Sequence, residues 1–162
     1  MAEAARGRAP VVVIGIGNAL RHDDAAGLET VRRLGGRARA AEIVVREQEG
    51  ETLGLIEQWD GAAAVLLVDA VHSGAPAGTI HCLDASTEPI PVSLRSSAST
   101  HAVGLGEAIE LARALGRLPA RVVVYGVEGL RFDAGSGLSQ EVQAVIPALA
   151  DAVLRQACEL AG

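Results

Sequence analysis

The stretch VVVIGIGNALRHDDAAGL, residues 11–28, decides the fold. Val11-Val12-Val13-Ile14 is a short β-branched run closed by Gly15-Ile16-Gly17, the pattern of a strand buried on both faces. Asp23-Asp24 follow, then Leu28, Val31 and Leu34 recur at helical spacing until Gly35-Gly36, which reads as a stop. A strand, an acidic turn and a helix in that order form the repeating unit of a parallel sheet.

The alternation continues outward from this unit. Ile43-Val44-Val45 reads as a second strand, and Leu53, Ile56 and Trp59 as a short helix after Gly50. Ala64-Val65-Leu66-Leu67-Val68 is a third strand, expected to end at Asp69. Thr79 to Leu83 follows the turn Gly74-Ala75-Pro76-Ala77-Gly78 as a further strand, and Ser86 to Ser99 reads as a loop. Leu105, Ala108, Ile109, Ala112 and Leu115 make one helical face with Gly116 as its C-terminal stop. Val122-Val123-Val124 is another buried strand. Val142, Val145, Ile146, Leu149 and Val153 make a closing helical stripe that Pro147 should kink or restart. The expected fold is a three-layer α/β/α sandwich with a twisted, mostly parallel five-stranded sheet, of a phosphorylase/hydrolase-like kind. Residues 1–10 read as a frayed N-terminus and residues 11–162 as a single domain.

Composition narrows the chemistry. The 162 residues include 14 basic and 20 acidic side chains, a net charge of −6, and every basic residue is Arg. Without Lys there is neither a P-loop lysine nor a Schiff-base amine. An acidic chain with 2% aromatics lacks the basic, stacking footprint of nucleic-acid binding. The apolar run Val11–Ile16 is far shorter than the roughly 20 residues of a membrane span, and no signal-peptide layout precedes it. A cytoplasmic monomer is expected. Cys82 and Cys158 form no CxxC pair and read as buried small hydrophobes.

Ligands of such folds bind beyond the carboxyl ends of the strands. The segment Gly15–Gly27 is not a dinucleotide fingerprint, since Leu20 stands where a third Gly is needed and two carboxylates would repel a pyrophosphate. One of Asp23 and Asp24 suffices to cap a helix, which leaves the other as an anionic ligand. Asp69 is either a turn residue or a second such group. His101 either sits on the surface near a helix start or, if Ser99 or Thr100 caps that helix, stands in its first turn. There the macrodipole favours the neutral ring that a metal needs. His22, His72 and His81 read as surface residues, with His72 a weak candidate to support Asp69. Two carboxylates and an imidazole suit a borderline divalent ion such as nickel or zinc, with positions left open. There is no GxSxG, no HExxH and no Cys beside a base.

These segments resemble the hydrogenase maturation endopeptidases: Gly15-Ile16-Gly17-Asn18 with Asp23-Asp24, Leu67-Val68-Asp69-Ala70-Val71 to Gly78-Thr79, and Ser99-Thr100-His101-Ala102-Val103-Gly104-Leu105. The likeness continues through Val124–Gly129 and Gly137–Val142, so it spans nearly the whole chain. The resemblance implies an endopeptidase that removes a C-terminal extension from the large-subunit precursor of a nickel–iron hydrogenase after nickel insertion. It also implies Asp24, Asp69 and His101 as the metal-binding and catalytic trio. The ion would be Ni2+ carried by the precursor, with Zn2+ or Cd2+ as stand-ins in vitro. Asp24 takes the place of a Glu found in some members, and Ala25-Ala26 stand where many carry a Gly. Two other readings remain. A nickel-site assembly chaperone would use the same three residues without cutting. A peptidyl-tRNA hydrolase shares the GxGN strand end, but its longer Asn-to-His insertion and basic face have no counterpart here.

Overall fold

All seven residues of β1 (Val11–Gly17) are buried, as the β-branched run requires. The computed structural model describes residues 7–49, 51–91, 94 and 104–162. The other strands are β2 (Val44–Glu49), β3 (Ala64–Val71), β4 (Ile80–Asp84) and β5 (Arg121–Glu128), in the spatial order β2-β1-β3-β5-β4. The pairs β1–β2, β1–β3 and β3–β5 are parallel, and β4 closes one edge antiparallel to β5. The three central strands are buried nearly end to end, and the two edge strands carry the polar residues. The helices among the described residues are α1 (Ala26–Arg32), α2 (Gly35–Ala40), α3 (Leu55–Gln58), α4 (Leu105–Ala114) and α5 (Gln140–Ala161).

Strand alternation sorts the core into two layers. Val13, Leu66, Val68 and Val123 pack with Val31 of α1 and Leu149 and Val153 of α5. Val12, Ile14, Leu67 and Val124 pack on the opposite face with Leu55 of α3, Ile109 of α4 and the fully buried Trp59. Trp59 satisfies its indole by donating Nε1–H to the Arg117 carbonyl at 3.0 Å. The sandwich expected from the sequence is therefore the observed fold. No described helix is long and apolar enough to cross a membrane.

Four local expectations are corrected. Gly35-Gly36 do not end the helical segment: Gly35 takes φ +43° and opens α2, so the chain turns between two short helices. Pro147 does not restart α5, which runs 22 residues through it. Pro147 lies on the exposed side of the helix, where water can serve the carbonyl that lacks its N–H partner. Asp69 does not end β3 but lies inside it, paired in register with Gly126. Cys82 and Cys158 are exposed free thiols rather than buried hydrophobes, because the edge strand and the outer side of α5 carry them.

One contact fixes the height of α1 above the sheet. A Cβ on Gly27 would lie 2.2 Å from the Val68 carbonyl oxygen and 2.4 Å from that of Ile16. A Cβ on Gly15 would lie 2.3 Å from the Gly27 carbonyl oxygen. Backbone thus meets backbone at the ends of β1 and β3, which draws the turn before α1 down onto the sheet rim. Gly27→Ala should push α1 off the sheet and destabilise the protein by about 1–3 kcal/mol, the usual cost of overpacking. A fall in the urea midpoint at unchanged m-value would register it.

Candidate active site

The turn following β1 is a 3-10 segment, His22–Ala25, in which Asp23 and Asp24 are both buried. The helix cap expected of one of them is not seen, since neither this segment nor α1 has a side-chain cap. Asp23 faces across to the loop after β5. Its carboxylate accepts the backbone N–H groups of Leu130 (2.8 Å), Arg131 (2.9 Å) and Ser139 (2.7 Å), and the Ser139 hydroxyl (2.9 Å). Burial acts to raise its pKa, but the donors of Arg131, Ser139 and Leu130 outweigh it and hold the carboxyl below the usual range.

Backbone pairing extends this clasp. His22 N–H donates to the Gly135 carbonyl and Gly135 N–H to that of Leu20, both at 2.9 Å, and Asp23 N–H donates to Arg131 at 2.9 Å. His22 takes φ +46° and sets Nδ1 3.0 Å from the Gly137 carbonyl. On the other side, the Ala19 N–H reaches Glu49 Oε1 at 3.4 Å. The loop that carries Asp24 is thus held from both flanks.

Asp24 and Asp69 are the two candidate acids that fall among the described residues. Both are buried, at 1% and 6% exposure. Burial and then the neighbouring charge of Asp24 push the Asp69 carboxyl well above the ordinary carboxylate range, against the N–H of Ala70. The structure therefore brings these two acids into one electrostatic unit, Asp24 from the turn after β1 and Asp69 from within β3. The third expected member, His101, lies outside the described residues, as do Ser99 and Thr100. The helix whose face was read from Leu105 begins at that residue, with Gly104 extended as its N-cap, so the condition that Ser99 or Thr100 cap it is not met.

Asp69 opens onto a cleft on the α4 side of the sheet, lined among the described residues by Val71, Leu83, Leu105, Gly126 and His81. His81 is thus not the surface residue expected. Its Nε2 lies 3.2 Å from Oε2 of Glu128, which is 1% exposed. Glu128 also accepts the Ser73 N–H (2.6 Å), the Ser73 hydroxyl (2.8 Å) and the Gly74 N–H (3.0 Å). Burial alone would raise its pKa, yet the bonds from Ser73, His81 and Gly74 prevail and lower it. Both residues carried a sequence signal. Glu128 ends the run Val122–Val127 much as Asp69 follows Val65–Val68, and His81 shares the inward face of Leu83 two positions on. His72 instead meets the Phe132 ring edge-on, with centroids 5.5 Å apart.

Chemically, the Asp24–Asp69 pair offers hard oxygen donors whose mutual repulsion a divalent cation would relieve. Among the described residues no three His, Cys, Asp or Glu side chains are grouped closely enough to hold an ion by themselves.

The family model for hydrogenase maturation protease matches residues 48–156. The chain is 32% identical over 139 residues to the hydrogenase expression/formation protein HoxM of Cupriavidus necator, covering 84% of this chain and 68% of that one. It is 31% identical over 144 residues to the hydrogenase 2 maturation protease of Escherichia coli, covering 86% and 85%. In fold it is similar to the [NiFe] hydrogenase maturation protease HycI of Thermococcus kodakarensis, with TM-score 0.69 and 22% identity over 93% of each chain. The hydrogenase maturating endopeptidase HybD of Escherichia coli superposes with TM-score 0.68 and 22% identity, again over 93% of each.

Proposed function

The chain belongs to the hydrogenase maturation protease family, and from that premise we propose that it removes the C-terminal extension of a nickel–iron hydrogenase large-subunit precursor in the cytoplasm. The nickel already seated in the precursor is its recognition element. The observation that carries the reading is the buried Asp24–Asp69 pair, set near the sheet rim with Asp69 lining a narrow cleft. These two acids do not readily ionise together without a cation beside them, and a nickel-loaded precursor brings one. Asp24 and Asp69 supply oxygen ligands to it, and His101 supplies the imidazole. An unloaded precursor offers no such bridge, so metal loading gates cleavage.

In the reaction, water adds to the scissile carbonyl, the C–N bond breaks and the amine leaves with a proton. The substrate's nickel polarises the reacting groups. Burial and the Asp24 charge keep a proton on Asp69 in the free protein; holding the substrate's cation would displace it, and the proton that the amine carries away comes from the attacking water. The clasp through Asp23 and the seat of α1 on Gly15 and Gly27 keep Asp24 in place, so little reorganisation is needed when substrate arrives.

The test compares the purified protein with nickel-loaded and nickel-free precursor, followed by intact mass. Shortening of the loaded form alone is expected. Equal shortening of both would remove nickel from recognition, and no shortening of either would leave the non-cleaving chaperone reading in its place.

A further inference from the structure

Leu20 is the most exposed large apolar side chain among the described residues, at 71%. It stands at the tip of the small knot that carries Asp24. Asn18 N–H donates to the Asp24 carbonyl (3.3 Å), Arg21 N–H to that of Asn18 (3.2 Å) and Asp24 N–H to that of Arg21 (3.0 Å). The Asn18 side chain accepts the Leu20 N–H at 2.9 Å, an Asx turn that fixes the tip. Leu130, 55% exposed, comes to the same turn from the loop after β5, with its N–H pinned to Asp23 Oδ2 at 2.8 Å. The three residues from Leu20 to Asp23 span at most about 11 Å, so the two leucines belong to one small surface. Arg131 pairs with Asp133 beside Leu130 at 3.0 Å and gives that surface a polar border. Neither leucine packs into either layer of the core, so the fold itself gains little from an apolar residue at these places.

Resting on the protease reading above, we propose that Leu20 and Leu130 are the apolar contact on which the folded body of the precursor seats, beside the place where its cation meets Asp24. The occupant follows from reach. Asp24 is only 1% exposed, and a cation–oxygen bond is about 2 Å long. A precursor surface that brings its cation within that distance must settle onto the turn itself, and whatever stands out from the turn is then covered. The matching face of the precursor is therefore apolar and adjoins its cation site. Both leucines ride on backbone that is already pinned, so little ordering is needed when the two surfaces meet. An apolar centre with a charged border is the ordinary anatomy of a protein–protein contact.

The experiment uses the full chain with nickel-loaded precursor and four variants, Leu20→Ser, Leu130→Ser, Leu20→Met and Leu115→Ser. Leu115 is 57% exposed but lies between α4 and the start of β5, at the other end of the sheet, and is the matched control. Binding is measured directly as a Kd, and cleavage as kcat and KM. All four positions are exposed, so the urea midpoint should stay that of wild type. Leu20→Ser and Leu130→Ser should each raise Kd and KM about three- to thirtyfold with kcat retained, the loss of one buried leucine contact. Leu20→Met, which keeps the apolar area, and Leu115→Ser should stay within about twofold of wild type. Unchanged Kd in both rim serine variants, or an equal loss in Leu115→Ser, would overturn the assignment. So would a free protein that sediments as a dimer and that Leu20→Ser makes monomeric, since a second copy would then cover the leucines. If the wild type binds the precursor without shortening it, the protease reading alone falls, and the Kd series still decides Leu20 and Leu130. A wild type that neither binds nor cuts removes both.

Discussion

Asp69→Asn should lower precursor processing about a hundredfold or more and, at the same time, stabilise the fold by about 0.5–2 kcal/mol. The two effects share one cause. Asp69 is buried beside the Asp24 charge, and both circumstances oppose its ionised form. Its carboxyl therefore holds a proton to higher pH in the folded chain than in the unfolded one. Between those two values the native state binds more protons than the unfolded state, so stability falls as pH rises through the window. The penalty is carried in full above the folded value. An amide of nearly the same shape removes the charge and with it the repulsion. It also removes the anionic oxygen donor that processing needs, which is why the gain in stability accompanies a loss of function.

Urea unfolding of wild type and Asp69→Asn at about pH 5 and about pH 8 checks the sign. The variant's advantage should be larger at the higher pH and shrink on acidification. An advantage that is absent, or equal at both values, would contradict the repulsion between the two acids. Retained processing would remove Asp69 from the reaction altogether.

The sheet was legible because its central strands are uninterrupted apolar runs, a pattern that only two-sided burial produces. The helix boundaries were less so. Gly35-Gly36 carry the composition of a stop but serve as a hinge, since Ala38 beyond them has core to bury in. Asp24 and Asp69 could be singled out as candidates because they stand near the carboxyl ends of parallel strands, where such folds bind ligands. The division of labour between Asp23 and Asp24 could not. They are adjacent in sequence and identical in type, and only the return of the 129–139 loop past the first turn shows that Asp23 faces backbone donors while Asp24 faces Asp69. Pairing between loops runs through backbone groups, which leave no side-chain pattern to read. The pairing of Glu128 with His81 was hidden for a related reason. Their partnership depends on β4 lying antiparallel at the edge beside β5, a choice of neighbour that hydrophobic alternation does not encode.

Asp23→Ala should cost about 3–5 kcal/mol of stability, although Asp23 holds no metal and touches no substrate in the proposed reaction. The substitution leaves the N–H groups of Leu130, Arg131 and Ser139 without the buried carboxylate that accepts them. Each orphaned donor costs about 1–3 kcal/mol, and partial relaxation of the loop recovers some of the sum. For a chain of this length that corresponds to a Tm lower by roughly 6–20 °C. Asp23→Asn should fall between the two, because one oxygen still accepts while the amide nitrogen confronts a donor. The pH dependence separates this carboxylate from Asp69. The folded pKa of Asp23 is depressed, so its contribution is present above the unfolded carboxylate value and is lost as pH falls through the folded one. Glu128 follows the same sign. Wild-type protein should therefore lose stability on acidification below about pH 4, and Asp23→Ala should show a shallower acid limb from a lower plateau. Processing should fall in this variant even at temperatures where it stays folded, because Asp24 rides on the same four-residue turn and loses its anchor. A variant within about 1 kcal/mol of wild type, with an unchanged acid limb, would show that the loop holds its place without the clasp.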